Sequence, residues 1–421
     1  MNVIIRRLPK SKRCILAPVF VTFLYCTSFL IADLGLSITA YAGVICVLCC
    51  ISSLYKNIRH GNLGINKRVI PILIMMIIIL ITSLNNYDLQ DNTKTYYLIM
   101  AFTSTIAFGV TNYTQCTVNV INKLVIYTGI LFATLIYFFE FYPECYRSVI
   151  FPYLTEEAVS DINFITGQGY SVFVYSDISY TLNMILFATY ICLFNNIKKP
   201  RCICSIYLLG SLILSQRRTE IIFGIVSIVL IYVFCFYKKI IEFIHSHPLI
   251  CYVAISICLA TIGMFVIFFC TVSYNFHSSN RILMTIHDIK FNIDTSNGRS
   301  ILYEIAYQLV KENWFWGLGW MNFSHYAGAS GISIARNVHN IYLQLLLECG
   351  VFFAGIFFVC ILIIVNKVFK NIKRGQFSAA GIAMITYIIL AGNTDNTLYY
   401  PYFWIVFWIS IYISGLTQRH K

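Results

Sequence analysis

Long apolar runs and short polar breaks alternate along nearly the whole chain. Runs of about 16 to 24 apolar residues, enough to cross a hydrocarbon core of roughly 30 Å, fall near residues 14–32, 34–55, 69–84, 95–115, 120–140, 170–194, 202–215, 221–237, 248–271, 340–365, 377–392 and 400–416. The pattern predicts an all-α polytopic membrane protein with about twelve spanning helices, residues 1–421 forming one integral membrane domain. Two breaks are longer than the rest. One, about 141–168, is acidic through Glu144, Glu156, Glu157 and Asp161; the other, about 272–338, is the longest polar segment. Within it, "TSNGRSILYEIAYQLVKENWFWGLGW" sets Leu302, Ile305, Ala306, Leu309, Val310 and Trp314 at helical spacing. This predicts a helix over about 297–313 lying on the membrane surface, capped by Ser296 or Asn297 and ended by Gly317 and Gly319.

Composition agrees with that solvent. The chain is 59% hydrophobic and 11% charged, against about 25% charged for a soluble domain. The first run follows Arg6, Arg7, Lys10, Lys12 and Arg13 but lacks a small-residue cleavage site, so it reads as a retained anchor. With the N-terminus inside, 21 of the 30 Lys and Arg fall on the inner side and 9 outside, whereas Glu242 is the one inner acid of 17. The net +13 thus divides into +20 inside and −7 outside. That division predicts cytoplasmic N- and C-termini and contact with anionic membrane lipids, and argues against nucleic acid as a partner.

The 16 cysteines lie nearly all within apolar runs, with Cys145 in an external loop, and read as apolar filler. Neither "CVLCC" (46–50) nor "HSH" (245–247) has further ligands nearby, and no metal site or cofactor is expected. The sequence shows no internal repeat, GxxxxGK loop, HExxH or GxSxG motif.

Candidate chemistry gathers on the predicted outer side. Arg217 and Arg218 occupy the short turn "SQRRTE", where the inside preference of basic residues disfavours them unless something retains them. Arg299 opens the predicted surface helix, where free N–H groups and the dipole favour an anion. Together the three could bind a diphosphate through guanidinium forks; singly, each reads equally as a headgroup or solvent contact. His339, where the span at 340 begins, is placed to take a proton from a hydroxyl or to serve as a structural interfacial imidazole. Glu348 falls on the opposite face of that helix and reads as a buried carboxyl locking the span to a neighbour. Asp177 lies in another span with an equally structural reading.

The order "SQRRTE", then "NGRSILYEIAYQLVKENWFWGLGW", then "VHNIYLQLLLECGV" resembles the O-antigen polymerase and ligase superfamily of bacterial inner membranes, over about residues 205–365. The resemblance rests on a short external S-R-T turn, a G-R opening a periplasmic helix, "WGLG" in the place of the family's P/W-x-G-x-G element, and His339-Asn340 separated from Gly350 by nine residues. It implies a GT-C-like fold with 272–338 as a large periplasmic loop. It also implies metal-independent, inverting glycosyl transfer on the periplasmic face, from an undecaprenyl-diphosphate-linked glycan donor to a glycan acceptor. His339, Arg299 and Arg218 map onto the catalytic positions; Arg217, Arg336, Asn340 and Trp320 are assigned to substrate, and Glu348, Gly317, Gly319 and Gly350 to structure. Ligases of the superfamily commonly continue past the glycine with paired threonines, where this chain has "GVFFAG", so polymerase is favoured over ligase. A chain-length regulator and a flippase are the further partners such a polymerase would meet. A transporter of lipid-linked sugars is the more distant reading, and it would carry its charges at mid-membrane.

Overall fold

In a computed structural model of the chain, the described residues are 70–86, 115–154, 178–194, 200–274, 281–291, 299–329, 337–372 and 378–394, with isolated positions elsewhere. The apolar runs at 14–32, 34–55, 95–115 and 400–416 lie wholly or largely outside them, as do Arg336, Asp177 and the cap residues Ser296 and Asn297. Every regular element among the described residues is a helix. In chain order these are α1 (Ile70–Asn86), α2 (Gln115–Phe141), α3 (Pro143–Val149), α4 (Ile178–Phe194), α5 (Pro200–Leu214), α6 (Arg218–Ser246), α7 (Pro248–Thr271), α8 (Arg281–Lys290), α9 (Arg299–Glu312), α10 (Phe323–Ala329), α11 (Ile341–Ile372) and α12 (Ser378–Ala391).

Among the described residues, three helices contain stretches long and apolar enough to cross a membrane: Cys116–Phe141, Arg218–Cys235 and Ile341–Asn366. Shorter apolar helices at Ile70–Leu84, Thr181–Phe194, Cys202–Leu214 and Ala379–Ala391 pack among them. The 24 residues of α7 carry no Asp, Glu, Lys or Arg. A single residue, His247, separates α6 from α7, so the polar break predicted after 237 is itself helical.

At the centre stands α4, packed against α2, α5, α6 and α12. Its side chains from Thr181 to Cys192 are all buried, as expected of a helix that is apolar on every face. Close approach comes from small residues: a Cβ on Gly129 of α2 would lie 2.4 Å from that of Ala188 on α4 unless the helices moved apart. The outer faces are greasy instead. Ile222, Val229, Leu230 and Phe234 of α6 and Leu249, Ile257 and Ile267 of α7 are exposed. An apolar surface of this extent suits hydrocarbon and not water, and it marks the bundle as a membrane protein.

The segment predicted to hold a surface helix does form one, α9, but its apolar face has another partner. Leu302 and Ala306 are buried with Leu318, Phe323, Ala327, Val338 and Leu347 in a satellite core, and Ile305, Leu309 and Val310 pack against it. Near the start of both helices, Tyr303 Oη donates to the His339 carbonyl (3.4 Å). Beyond the end of α9, the Val351 amide donates to the Trp314 carbonyl (2.8 Å). The two contacts fix α9 alongside the first part of α11 and running the same way. Protein, not lipid, covers the greasy face, which corrects the expectation of a helix lying on the bilayer. Trp314, placed on that face by periodicity, is exposed.

Candidate functional site

Local sequence explains why α11 changes character at Gly350. There the backbone leaves helical geometry (φ 69°, ψ 170°), a region open to glycine and costly for other residues. The kink frees two carbonyls. Leu347 O accepts from the Leu318 amide and Glu348 O from the Gly319 amide, both at 2.9 Å. Gly317 (φ 74°) comes so close that a Cβ there would sit 2.5 Å from the Glu348 carbonyl oxygen and from the Gly350 nitrogen. "WGLGW" and "ECGV" are therefore two halves of one backbone-to-backbone joint, which is what Gly317, Gly319 and Gly350 do structurally. The expected substrate contact Trp320 lies inside this joint, 3% exposed and packed in the main core, so it leaves the substrate set.

The start of α11 is held as tightly. Asn340 Oδ1 accepts from the amides of Tyr342 and Leu343, both at 3.0 Å, as an N-cap. Its Nδ2 donates to Asn393 O (3.2 Å). These bonds give Asn340 a capping role in the fold. His339, just outside the cap, has φ 57°, a conformation uncommon for a residue with a Cβ. Its amide donates to Asn337 Oδ1 (2.9 Å). Glu348, fully buried, accepts from Gln344 Nε2 (2.6 Å) within its own helix.

The segment after α12 gathers the rest. Gly392 O accepts from the first amide of α11, Ile341 N (2.7 Å), and Thr394 O accepts from Arg299 Nη1 (2.7 Å). Thr394 Oγ1 donates to Thr219 Oγ1 (3.4 Å), in the first turn of α6. Three helix N-termini, those of α6, α9 and α11, thus converge on Gly392–Thr394. Each brings the positive end of a helix dipole, and Arg218, Arg299 and His339 stand at those ends. Arg218 Nη1 donates to Thr285 Oγ1 of α8 (2.7 Å). Arg217 is the N-cap residue of α6, and Glu220, buried in the same first turn, offsets part of the local positive charge. Burial raises the Tyr303 hydroxyl pKa above its usual 10.0 against the opposing pull of Arg299.

A second small cluster orders α8. His287 faces Asp288 Oδ1 through Nδ1 and the Tyr274 carbonyl through Nε2, each at 2.9 Å. Both partners accept, so the arrangement favours the doubly protonated ring, and the Asp288 hydrogen bond first and the Tyr274 bond second raise its pKa. Lys290 Nζ donates to the carbonyls of Cys270 (2.8 Å) and Val272 (2.7 Å), at the end of α7. Through these bonds α8 is docked where Thr285 meets Arg218. No group of three or more metal-ligating side chains occurs among the described residues.

Sequence reasoning names Arg217, Arg218, Arg299 and His339 but not Thr285, Thr394, Gln344 or Tyr303. Two of these carry a signal: Tyr303 is one turn from Arg299, and Asn340, Gln344 and Glu348 form an i, i+4 polar stripe on an otherwise apolar helix.

An all-helical membrane bundle with a cationic cluster at the ends of its helices is the class that fold and site define. Residues 203–360 match the model of a family described as O-antigen ligase. The match supports the O-antigen ligase and polymerase superfamily, whose members are glycosyltransferase-like enzymes, and it spans Arg217, Arg218, Arg299, His339 and Gly350. No curated protein matches the chain.

Proposed function

We propose that this protein is an O-antigen polymerase, which joins undecaprenyl-diphosphate-linked oligosaccharide repeat units by inverting glycosyl transfer on the periplasmic face of the inner membrane. The observation that carries the reading is the convergence of three helix N-termini, with Arg218 and Arg299, on Gly392–Thr394 beside His339. In the proposed step the acceptor hydroxyl attacks the anomeric carbon of the donor and the bond from that carbon to the diphosphate oxygen breaks. The bonding pair leaves with the diphosphate, whose charge the arginine forks and helix ends stabilise, and His339 takes the hydroxyl proton. The acceptor is the terminal sugar of another lipid-linked repeat.

Ligation of the glycan to a lipid core is the second reading, and the family match fits it as well as it fits polymerisation. It uses the same chemistry and differs in acceptor; "GVFFAG" after the kink, without paired threonines, supports polymerase. Transport fits less well, because the charged groups sit at helix ends and not near mid-span. Deletion followed by glycolipid electrophoresis tests the proposal. Loss of a polymerase leaves core bearing one repeat, whereas bare core would reassign the protein to the ligases.

A further inference from the structure

We propose that Glu348 is a positioning residue for His339, acting through the side-chain amide of Gln344; the role as such rests on the glycosyl-transfer reading above. Val338 lies outside α11, so its amide has no helical acceptor, and Gln344 Oε1 supplies one at 2.7 Å. Val338, Gln344 and Glu348 are all fully buried, where a backbone N–H left without an acceptor is costly. The acceptor end of the Gln344 amide must therefore face Val338, which turns its donor end toward Glu348, where Oε1 accepts it at 2.6 Å.

An amide can flip by half a turn at little cost in shape, and a flip here would set N–H against N–H. Val338 opposes it at one end, and the acceptor at 348 opposes it at the other, where the flip would set oxygen against oxygen. Glu348 in this way fixes the orientation of Gln344, Gln344 fixes Val338, and the next residue along the chain is His339 in its left-handed conformation. The Asn337 bond to the His339 amide completes the loop from the other side. The main chain of Glu348 meanwhile holds Gly319. One residue thus joins the "WGLG" half of the kink to the segment that aims the imidazole.

Exchanging the two side chains tests this. In Gln344→Glu, two buried carboxyl groups face each other and neither offers the amide donor. In Glu348→Leu, the amide loses what orients it. Each variant should lower kcat by about 10²-fold, the scale of a misplaced catalytic group, with KM for the lipid-linked donor little changed. The double exchange Gln344→Glu with Glu348→Gln restores both bonds, because the carboxylate at 344 accepts from Val338 N–H and from the new amide at 348. It should recover most of the lost rate.

Hydrogen exchange over residues 337–343 of the purified full chain is the second readout, and it does not depend on turnover. Exchange should be fast in each single variant and slow again in the double exchange. Failure of wild-type protein to transfer sugar would refute the function, while the exchange pattern would still judge the linkage from Glu348 to the His339 segment. Retained kcat in Glu348→Leu, or a double exchange as impaired as Gln344→Glu in rate and protection, would overturn the positioning role.

Discussion

The two parts of α11, before and after Gly350, are one helix in the chain and two different objects physically. From Val351 onward a single buried stripe, Ala354, Phe357, Cys360 and Ile364, recurs at helical spacing, and Phe352, Val359, Leu362 and Ile363 are exposed. That part is an ordinary span with one face on protein and one suited to lipid. From Ile341 to Gly350 the helix is enclosed nearly all round. Its polar groups hold structure, since Asn340 caps the helix, Gln344 holds Val338, and Glu348 holds Gln344. Both parts read as one continuous apolar run in the sequence, so apolar character alone does not tell a membrane span from an enclosed polar-studded helix. What separates them is where backbone hydrogen bonds go: within the helix from Phe352 onward, and out to Leu318, Gly319 and Gly392 in the first part, with the Val351 amide reaching Trp314 at the kink itself.

The comparison breaks most severely at the kink. A side chain at Gly350 would collide with the Phe315 backbone and demand a φ of 69°. Gly350→Val should cost at least about 3 kcal/mol, the upper end for a strained backbone position, and leave little folded protein. Thermal unfolding in detergent measures it. At the first turn of α9, Arg299→Lys keeps the charge but loses the fork that serves Thr394. Activity should fall about 10²-fold, the scale of losing one transition-state donor, while membrane insertion stays normal. Unchanged polymer in that variant would return Arg299 to a solvated role.

Smaller effects follow from α8. Because the His287 pKa is raised above 6.5, its contribution is fully present below that value and is lost as pH rises through the folded value. Protease cleavage or hydrogen exchange across Arg281–Phe291 should therefore increase on the alkaline side and not on the acid side. At the smallest end is Gly355, in the span-like part of α11, where a Cβ would meet nothing within 4 Å. Gly355→Ala should be neutral or stabilise by about 0.5–1 kcal/mol through helix propensity. Loss of stability there comparable to Gly350→Val would remove the contrast between the two parts.

The helices predicted at 69–84, 248–271 and 377–392 match the observed bounds nearly to the residue, because a long apolar run is a strong helix signal. The places of Arg218 and His339 at helix ends were legible because a polar group at the end of an apolar run is conspicuous, and that of Arg299 because it opens an amphipathic pattern. The hub at Gly392–Thr394 was not, since it acts through backbone carbonyls, which every sequence has. The burial of Trp320 and the capping bonds of Asn340 were not legible either, since both follow from how the segments meet and not from the motifs. The course of α9 was misread for a related reason. An apolar face announces that something covers it, and the pattern is the same whether the cover is lipid or Val338 and Leu347.

The central claim is that the imidazole of His339, at the meeting point of three helix starts, takes part in chain extension. The direct measurement is the glycolipid ladder of cells carrying His339→Ala in place of the wild-type gene, with the protein quantified in the membrane. A lost general base costs about 10² to 10⁴ in rate, whereas one substitution ahead of α11 removes little burial. The expected result is a normal protein level, core bearing a single repeat, and missing long-chain bands. A full ladder from normally expressed His339→Ala protein would contradict the claim.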